Sequence, residues 1–204
     1  MNWLSRFFTK HTNKTNSTLA QIFFTNTLSG TKELFISQKP GLALLYSCGP
    51  TVYAQAHIGN LRAYVFSDTI ARVLDAAGYR VRRVINITDV GHLVGDGDSG
   101  EDKMAVGAAR EHMTPEAIAE RYTKLFMEDI EDLHIDTENI LFPRATQYIK
   151  EQIALAKTLE EKGFAYHLPD GLYFDTQKFQ NYGKLGGLQG VQIEAGARVE
   201  IVKE

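Results

Sequence analysis

The apolar positions fall into short blocks with two distinct periods. Ile22-Phe23-Phe24-Thr25-Asn26-Thr27-Leu28 reads as a short strand, Ser29-Gly30 as a turn, and Glu33-Leu34-Phe35-Ile36 as its partner. Pro40-Gly41 breaks the chain before the apolar run Leu42-Ala43-Leu44-Leu45-Tyr46-Ser47, which has the length and composition of a buried strand. The period then changes. Leu61, Val65, Phe66, Ile70, Val73, Leu74 and Ala77 recur at helical spacing, and Gly78 suits a helix C-terminus. Arg80-Val81-Arg82-Arg83-Val84-Ile85-Asn86-Ile87-Thr88 is rich in β-branched residues and predicts a second strand. Residues 42–88 thus predict a β-α-β unit: two parallel strands joined by a right-handed helical crossover.

Further along, Gly and Asp crowd the stretch from Gly91 to Gly107, which predicts a loop. Thr114-Pro115-Glu116 opens a helix, with Thr as the N-cap and Pro at the first helical position. Ile118, Tyr122, Leu125, Phe126, Ile130 and Leu133 form its apolar face. Another helix is expected from Ala145 to Lys162, stopped by Gly163. Phe164-Ala165-Tyr166 and Leu172-Tyr173-Phe174 flank Pro169-Asp170-Gly171 as a hairpin, and Val199–Val202 reads as a further strand. The fold class is α/β.

Composition narrows the picture. The 204 residues are 44% hydrophobic and 23% charged, so the chain can build a core. A net charge of −3 gives no sign of a free-standing nucleic-acid binder. The single cysteine, Cys48, excludes an internal disulfide and any metal site needing two thiolates from these residues. A reducing, cytoplasmic setting is the expectation. No apolar run approaches the ~18 residues of a membrane-spanning helix. Residues 1–21 are expected to form a flexible extension. Up to Leu19 they carry Arg6, Lys10, His11 and Lys14 with no acidic residue, and read either as a frayed terminus or as an amphipathic targeting segment on Trp3, Leu4, Phe7 and Phe8.

The chemistry concentrates in Cys48-Gly49-Pro50-Thr51-Val52-Tyr53, followed by His57-Ile58-Gly59-Asn60. In an open α/β sheet, ligands sit beyond the carboxyl ends of the strands. The amino end of the following helix offers N–H groups and a positive dipole to phosphate. Gly59 permits close backbone approach, and His57 can donate a ring N–H to a phosphate oxygen. Taken alone, His-Ile-Gly also fits a solvated helix cap, and a lone strand-end cysteine also fits a small buried hydrophobe.

Over nearly all of 22–204 the chain resembles cysteinyl-tRNA synthetases, a class I aminoacyl-tRNA synthetase family. Cys48–Tyr53 resembles the family's Cys-Gly-x-Thr-Val-Tyr segment, and His57–Asn60 its His-Ile-Gly-His signature. Asn86-Ile87-Thr88-Asp89 matches the second strand-end motif, and Gly100–Met104 the Asp-Lys segment after it. Pro143–Thr146, Tyr173–Asp175, Tyr182–Leu185 and Gly196–Val199 resemble the connective-peptide insertion. The resemblance implies that residues 22–112 are the first half of a Rossmann-like catalytic domain and 113–204 a mixed connective-peptide insertion. It implies a cysteine–tRNA ligase that activates cysteine with ATP and magnesium, then passes it to the cysteine tRNA. His57 and Asn60 would be catalytic; His57, Gly59 and Asn60 would bind ATP; Thr51, Thr88 and Gly49 would bind cysteine. Cys48 would be one ligand of a zinc ion that recognises the substrate thiol. Asn60 departs from the family's second His; it can donate a hydrogen bond but cannot carry charge.

The family's other zinc ligands, its Lys-Met-Ser-Lys-Ser loop and its anticodon-binding helices have no counterpart in these residues. The chain therefore resembles an N-terminal piece, inactive by itself and monomeric when complete. Two rival readings stand beside this one: a cysteine:amino-sugar ligase of mycothiol synthesis, and a nucleotide-binding remnant without turnover. Three other clusters carry less. Arg80, Arg82 and Arg83 fit a solvated basic strand end or an RNA contact. Asp96, Asp98, Glu101 and Asp102 resemble a calcium loop in composition only. His92, His112, His134 and His167 read as ordinary loop or surface residues.

Overall fold

The computed structural model describes residues 19–90, 103–169 and 171–185. Two short strands open it, β1 (Phe23–Asn26) and β2 (Thr31–Leu34), paired antiparallel through a turn at Gly30, whose φ is 70°. The second strand starts two residues earlier than its apolar residues suggest. Phe35 lies beyond the strand and packs edge-on to Phe24 and Tyr79, with ring centroids 5.9 and 5.3 Å away. These rings, with Ile22, cover the small cluster of Ala43, Leu74 and Tyr79.

The β-α-β unit forms as expected. β3 (Leu42–Ser47) pairs parallel with β4 (Arg80–Ile85), and the crossover is α1 (Ile58–Ala76). The helix ends at Ala76, with Ala77 as its C-cap and Gly78, whose φ is 93°, just beyond. One face of β3 points at α1: Ala43 is buried with Leu74, and Ser47 Oγ lies 2.6 Å from Ser67 Oγ. The residues between them point the other way, leaving Leu44 61% and Tyr46 65% exposed. Strand periodicity of two thus divides an apolar run into a covered and a bare face.

The same alternation corrects the reading of the arginine cluster. Arg80 is exposed and Arg82 half-buried, but Arg83 faces α1 and is 4% exposed. Its Nη1 donates to Asp68 Oδ1 at 2.6 Å, and the other oxygen of Asp68 accepts from Arg72 Nε at 2.6 Å. Arg83 is neither solvated nor available to RNA. It is one side of a buried pair that ties the helix to the sheet.

Three findings depart from the expected elements. Residues 103–111 form a helix, α2 (Lys103–Glu111), where a loop was expected up to Gly107. Met104, Gly107 and Ala108 lie on its buried side, so one face of this Gly- and Ala-containing stretch is apolar enough to pack. Next, Ile140-Leu141 is a strand, β5, pairing parallel with β4 at Arg83 and Val84 to give the order β3-β4-β5. Two residues are too few for a period to show. Lastly, the helix expected from Ala145 begins as a 3₁₀ turn over Ala145–Tyr148 and becomes α-helical as α4 (Ile149–Glu161). Asp89 holds that first turn, accepting from Thr146 N at 3.0 Å and Thr146 Oγ1 at 2.6 Å.

The helix α3 (Pro115–Asp132) starts where the sequence places it, with Thr114 Oγ1 accepting from Ala117 N at 3.2 Å. Ile118, Phe126 and Ile130 are buried on its inner face, while Leu133 is 40% exposed. With Val52, Tyr64, Ile85, Ile87 and Ile140 they form the main core. Tyr64 and Phe126 meet edge-on, 5.0 Å between centroids. Residues on both sides of position 112 therefore share one core and one sheet. The hairpin β6 (Ala165–Leu168) and β7 (Gly171–Phe174) follows α4, as expected. Among the described residues no helix is long and apolar enough to cross a membrane. The expected strand at 199–202, the acidic stretch from Asp96 to Asp102, His92 and nearly all of the N-terminal extension lie outside the described residues.

Candidate active site

The parallel strands bring their carboxyl ends to one edge, where the segments that follow them meet. After β3 the chain runs through Cys48-Gly49-Pro50 and lies alongside the continuation of β4. Thr88 N donates to Pro50 O at 2.9 Å and Val52 N to Thr88 O at 3.1 Å, so Thr51 and Thr88 sit side by side as a parallel bridge. Both threonines are half-buried.

Gly49 has a packing role that residue type alone did not reveal. A Cβ there would stand 1.5 Å from the Asn86 carbonyl oxygen and 2.6 Å from its carbon. The requirement is space rather than conformation, because Gly49 is not among the residues with positive φ. Its N–H donates to Asn86 Oδ1 at 2.9 Å. The same oxygen accepts from Tyr46 Oη at 2.8 Å, and Asn86 Nδ2 donates to Thr88 Oγ1 at 3.1 Å. Asn86 thus joins β3, the glycine turn and Thr88. In the sequence, Asn86 is marked only by its place in the Asn86-Ile87-Thr88-Asp89 motif, beside a strand-end threonine.

His57 is the N-cap of α1. Its Nδ1 accepts from Gly59 N at 3.1 Å, while Asn60 Oδ1 accepts from His57 N at 3.1 Å, a reciprocal capping box. A Cβ on Gly59 would lie 2.9 Å from His57 Cε1, so the glycine makes room for the ring. A lone pair on Nδ1 puts the neutral ring's proton on Nε2, away from the helix. The exposed edge of His57 is therefore a donor at the positive end of the helix, where a phosphate oxygen is favoured. Asn60 uses its oxygen on the cap, which leaves its amide N–H groups for a ligand.

Cys48 is exposed just past the end of β3. Across from it, burial and then the negative charge of the Cys48 thiolate push the Tyr64 hydroxyl up to about 12. Among the described residues no three His, Cys, Asp or Glu side chains cluster to hold a metal ion. One exposed cysteine does not make a zinc site, so the residues described here do not by themselves fit the metal. The other described histidines lie elsewhere. His134 Nδ1 is 2.8 Å from Asp132 O, His167 pairs with Glu160 at 2.6 Å, and His112 is exposed with a φ of 55°.

Helix α2 braces this edge from behind. Arg110 Nη2 donates to Tyr53 O at 3.0 Å, and a Cβ on Gly107 would lie 2.9 Å from the same oxygen. The stretch between Thr51 and His57 is therefore held on both flanks, by Thr88 and by α2.

The chain is similar in sequence to known proteins. Residues 35–204 match the family described as tRNA synthetases class I (C) catalytic domain. "Cysteine--tRNA ligase 1" of Burkholderia lata is 48% identical over 176 residues, 86% of this chain and 37% of that protein. "Cysteine--tRNA ligase" of Zymomonas mobilis is 46% identical over 183 residues, 90% of this chain and 35% of its own length. That of Treponema denticola is 48% identical over 178 residues, covering 87% and 36%. The chain thus spans little more than a third of these relatives, in their N-terminal part. Among solved structures, the LeuRS chain of an Agrobacterium radiobacter K84 complex with tRNA and LeuAMS superposes with a TM-score of 0.50 at 23% identity, covering 63% of this chain and 16% of that one. That likeness speaks for the fold alone, a Rossmann-like α/β sheet. With the family match spanning most of its length, the chain belongs to the class I (C) tRNA synthetase catalytic-domain family.

Proposed function

We propose that residues 1–204 are the N-terminal part of a cysteine–tRNA ligase and supply one wall of its amino-acid and ATP site. The observation that carries this is the Thr51–Thr88 bridge at the carboxyl edge of parallel β3 and β4, flanked by Cys48 and by the His57-capped helix. The two threonines offer hydroxyls toward a small polar substrate. The amino end of α1, with His57 Nε2 and the Asn60 amide, faces the charge that builds on the α-phosphate. The substrate carboxylate attacks that phosphorus, pyrophosphate leaves, and cysteinyl-adenylate forms; the cysteinyl group then passes to the tRNA 3′ end. Catalysis by these residues is positioning and charge stabilisation.

Zinc, if the complete enzyme uses it, would take Cys48 as one ligand and the rest from outside the described residues; it would supply a thiolate-selective binding position. A cytoplasmic, monomeric complete enzyme fits this reading. The core shared across position 112 supports placing the end of the nucleotide-fold half near Pro143, after β5, and the insertion beyond it.

The test is ATP–pyrophosphate exchange by this chain joined to the part of its relatives that it does not span. Exchange should depend on cysteine and stay at background with serine. Exchange driven equally by serine, or no exchange from the folded, completed protein, would overturn the proposal.

A further inference from the structure

The orientation of the Asn86 side chain is fixed by its partners. The Gly49 N–H can only donate, so the atom it meets at 2.9 Å must be the amide oxygen. That oxygen also takes the Tyr46 hydroxyl proton at 2.8 Å. The nitrogen then necessarily faces Thr88, 3.1 Å from Oγ1, and it can only donate. A hydroxyl that receives a proton on one side turns its own proton away. Thr88 is further pinned through its main chain, by Pro50 O at 2.9 Å and Val52 N at 3.1 Å.

We propose that Asn86 is a positioning residue that sets the Thr88 hydroxyl as a hydrogen-bond donor toward the bound amino acid. The atom that the Thr88 proton meets is then an acceptor, a carboxylate or acyl oxygen of the amino acid. This rests on the reading of Thr88 as a cysteine contact. It adds to that reading a polarity for the contact and hence an orientation for the substrate.

Asn86→Asp separates this role from simple support of the turn. The carboxylate still accepts from Gly49 N–H and from Tyr46, so the turn keeps its bonds. It can no longer donate to Thr88, and instead draws the Thr88 proton back toward itself. Two readouts are needed. In the chain as it stands, amide exchange at Gly49 should remain protected in Asn86→Asp and become fast in Asn86→Leu. The Asn86 carboxamide proton resonances should shift in Thr88→Val.

In the completed enzyme, Asn86→Asp should raise the cysteine KM in pyrophosphate exchange roughly tenfold, the weight of one hydrogen bond at the upper end of its range. The ATP KM should stay unchanged. The effect should disappear in a Thr88→Val background. The proposal fails if Asn86→Asp leaves the cysteine KM unchanged, raises both KM values alike, or adds its full effect to Thr88→Val. It also fails if the carboxamide resonances ignore Thr88→Val. Absence of cysteine-dependent exchange in the completed wild type would instead refute the ligase reading, while the resonance test still decides whether Asn86 donates to Thr88.

Discussion

Replacing Gly49 by alanine should damage the site far more than one methyl group suggests. The added Cβ would stand 1.5 Å from Asn86 O, and real Cβ contacts essentially never fall under 3.0 Å. The obstacle is backbone at the end of a central strand, so it cannot swing aside as a side chain would. The turn must lift off β4 by about 1.5 Å. A displacement of that size takes the Gly49 N to Asn86 Oδ1 bond, now 2.9 Å, out of hydrogen-bond range. It also strains the two bonds that pair Thr51 with Thr88, now 2.9 and 3.1 Å. At about 0.5–1.5 kcal/mol each, losing two or three such bonds destabilises the fold by roughly 1–4 kcal/mol. Urea unfolding of the chain, followed by circular dichroism, measures this directly. In the completed enzyme the same change should lower cysteine-dependent exchange by at least roughly a hundredfold, because both threonines move. A Gly49→Ala chain with unchanged urea midpoint and near-normal exchange would refute the close-packing account.

The buried ion pair predicts an asymmetry: Asp68→Ala leaves Arg83 buried without a carboxylate and should cost about 3–5 kcal/mol, whereas Arg83→Met should cost clearly less because Asp68 keeps Arg72. Chemical denaturation of the two variants ranks them, and equal losses would contradict the pairing. Burial first, then Asp132 and Glu128, raise the Asp129 carboxyl, and its Oδ2 is buried without a partner. A raised carboxyl favours the fold below the ordinary carboxylate range and loses that contribution as pH climbs through the raised value. Asp129→Asn should therefore raise the Tm by about 1–3 °C at pH 7, with the gain vanishing near pH 3 in a pH series of thermal melts. Asn60→His should lose the bond from His57 N and about 1 kcal/mol of helix stability, while tightening ATP in the completed enzyme; unfolding and ATP titration report the two effects separately.

The placement of the strand-end residues was legible in the sequence. The β-α-β pattern puts Cys48, Thr51 and Thr88 at one edge, the family resemblance singled out the two threonines, and Thr114-Pro115 announced its helix. The unread features have physical reasons. β5 spans two residues and exists only through its pairing with β4. α2 was hidden by glycine, yet Gly107 is there because helix and Tyr53 carbonyl approach closely. Arg83 looked like part of a basic run because burial alternates with strand period, which a charge count ignores. Asn86 matters through partners 40, 37 and 2 residues away, and such a hub has no local signature.

The most direct test of the central claim is charging of cysteine tRNA with labelled cysteine, measured for residues 1–204 alone and for the same chain joined to the remainder of its relatives' length. The proposed ligase reading predicts charging from the joined protein and none above background from residues 1–204, whose described residues hold a single exposed cysteine and no cluster of three metal-ligating side chains. Charging by residues 1–204 alone, or a folded joined protein that charges no cysteine, would contradict it.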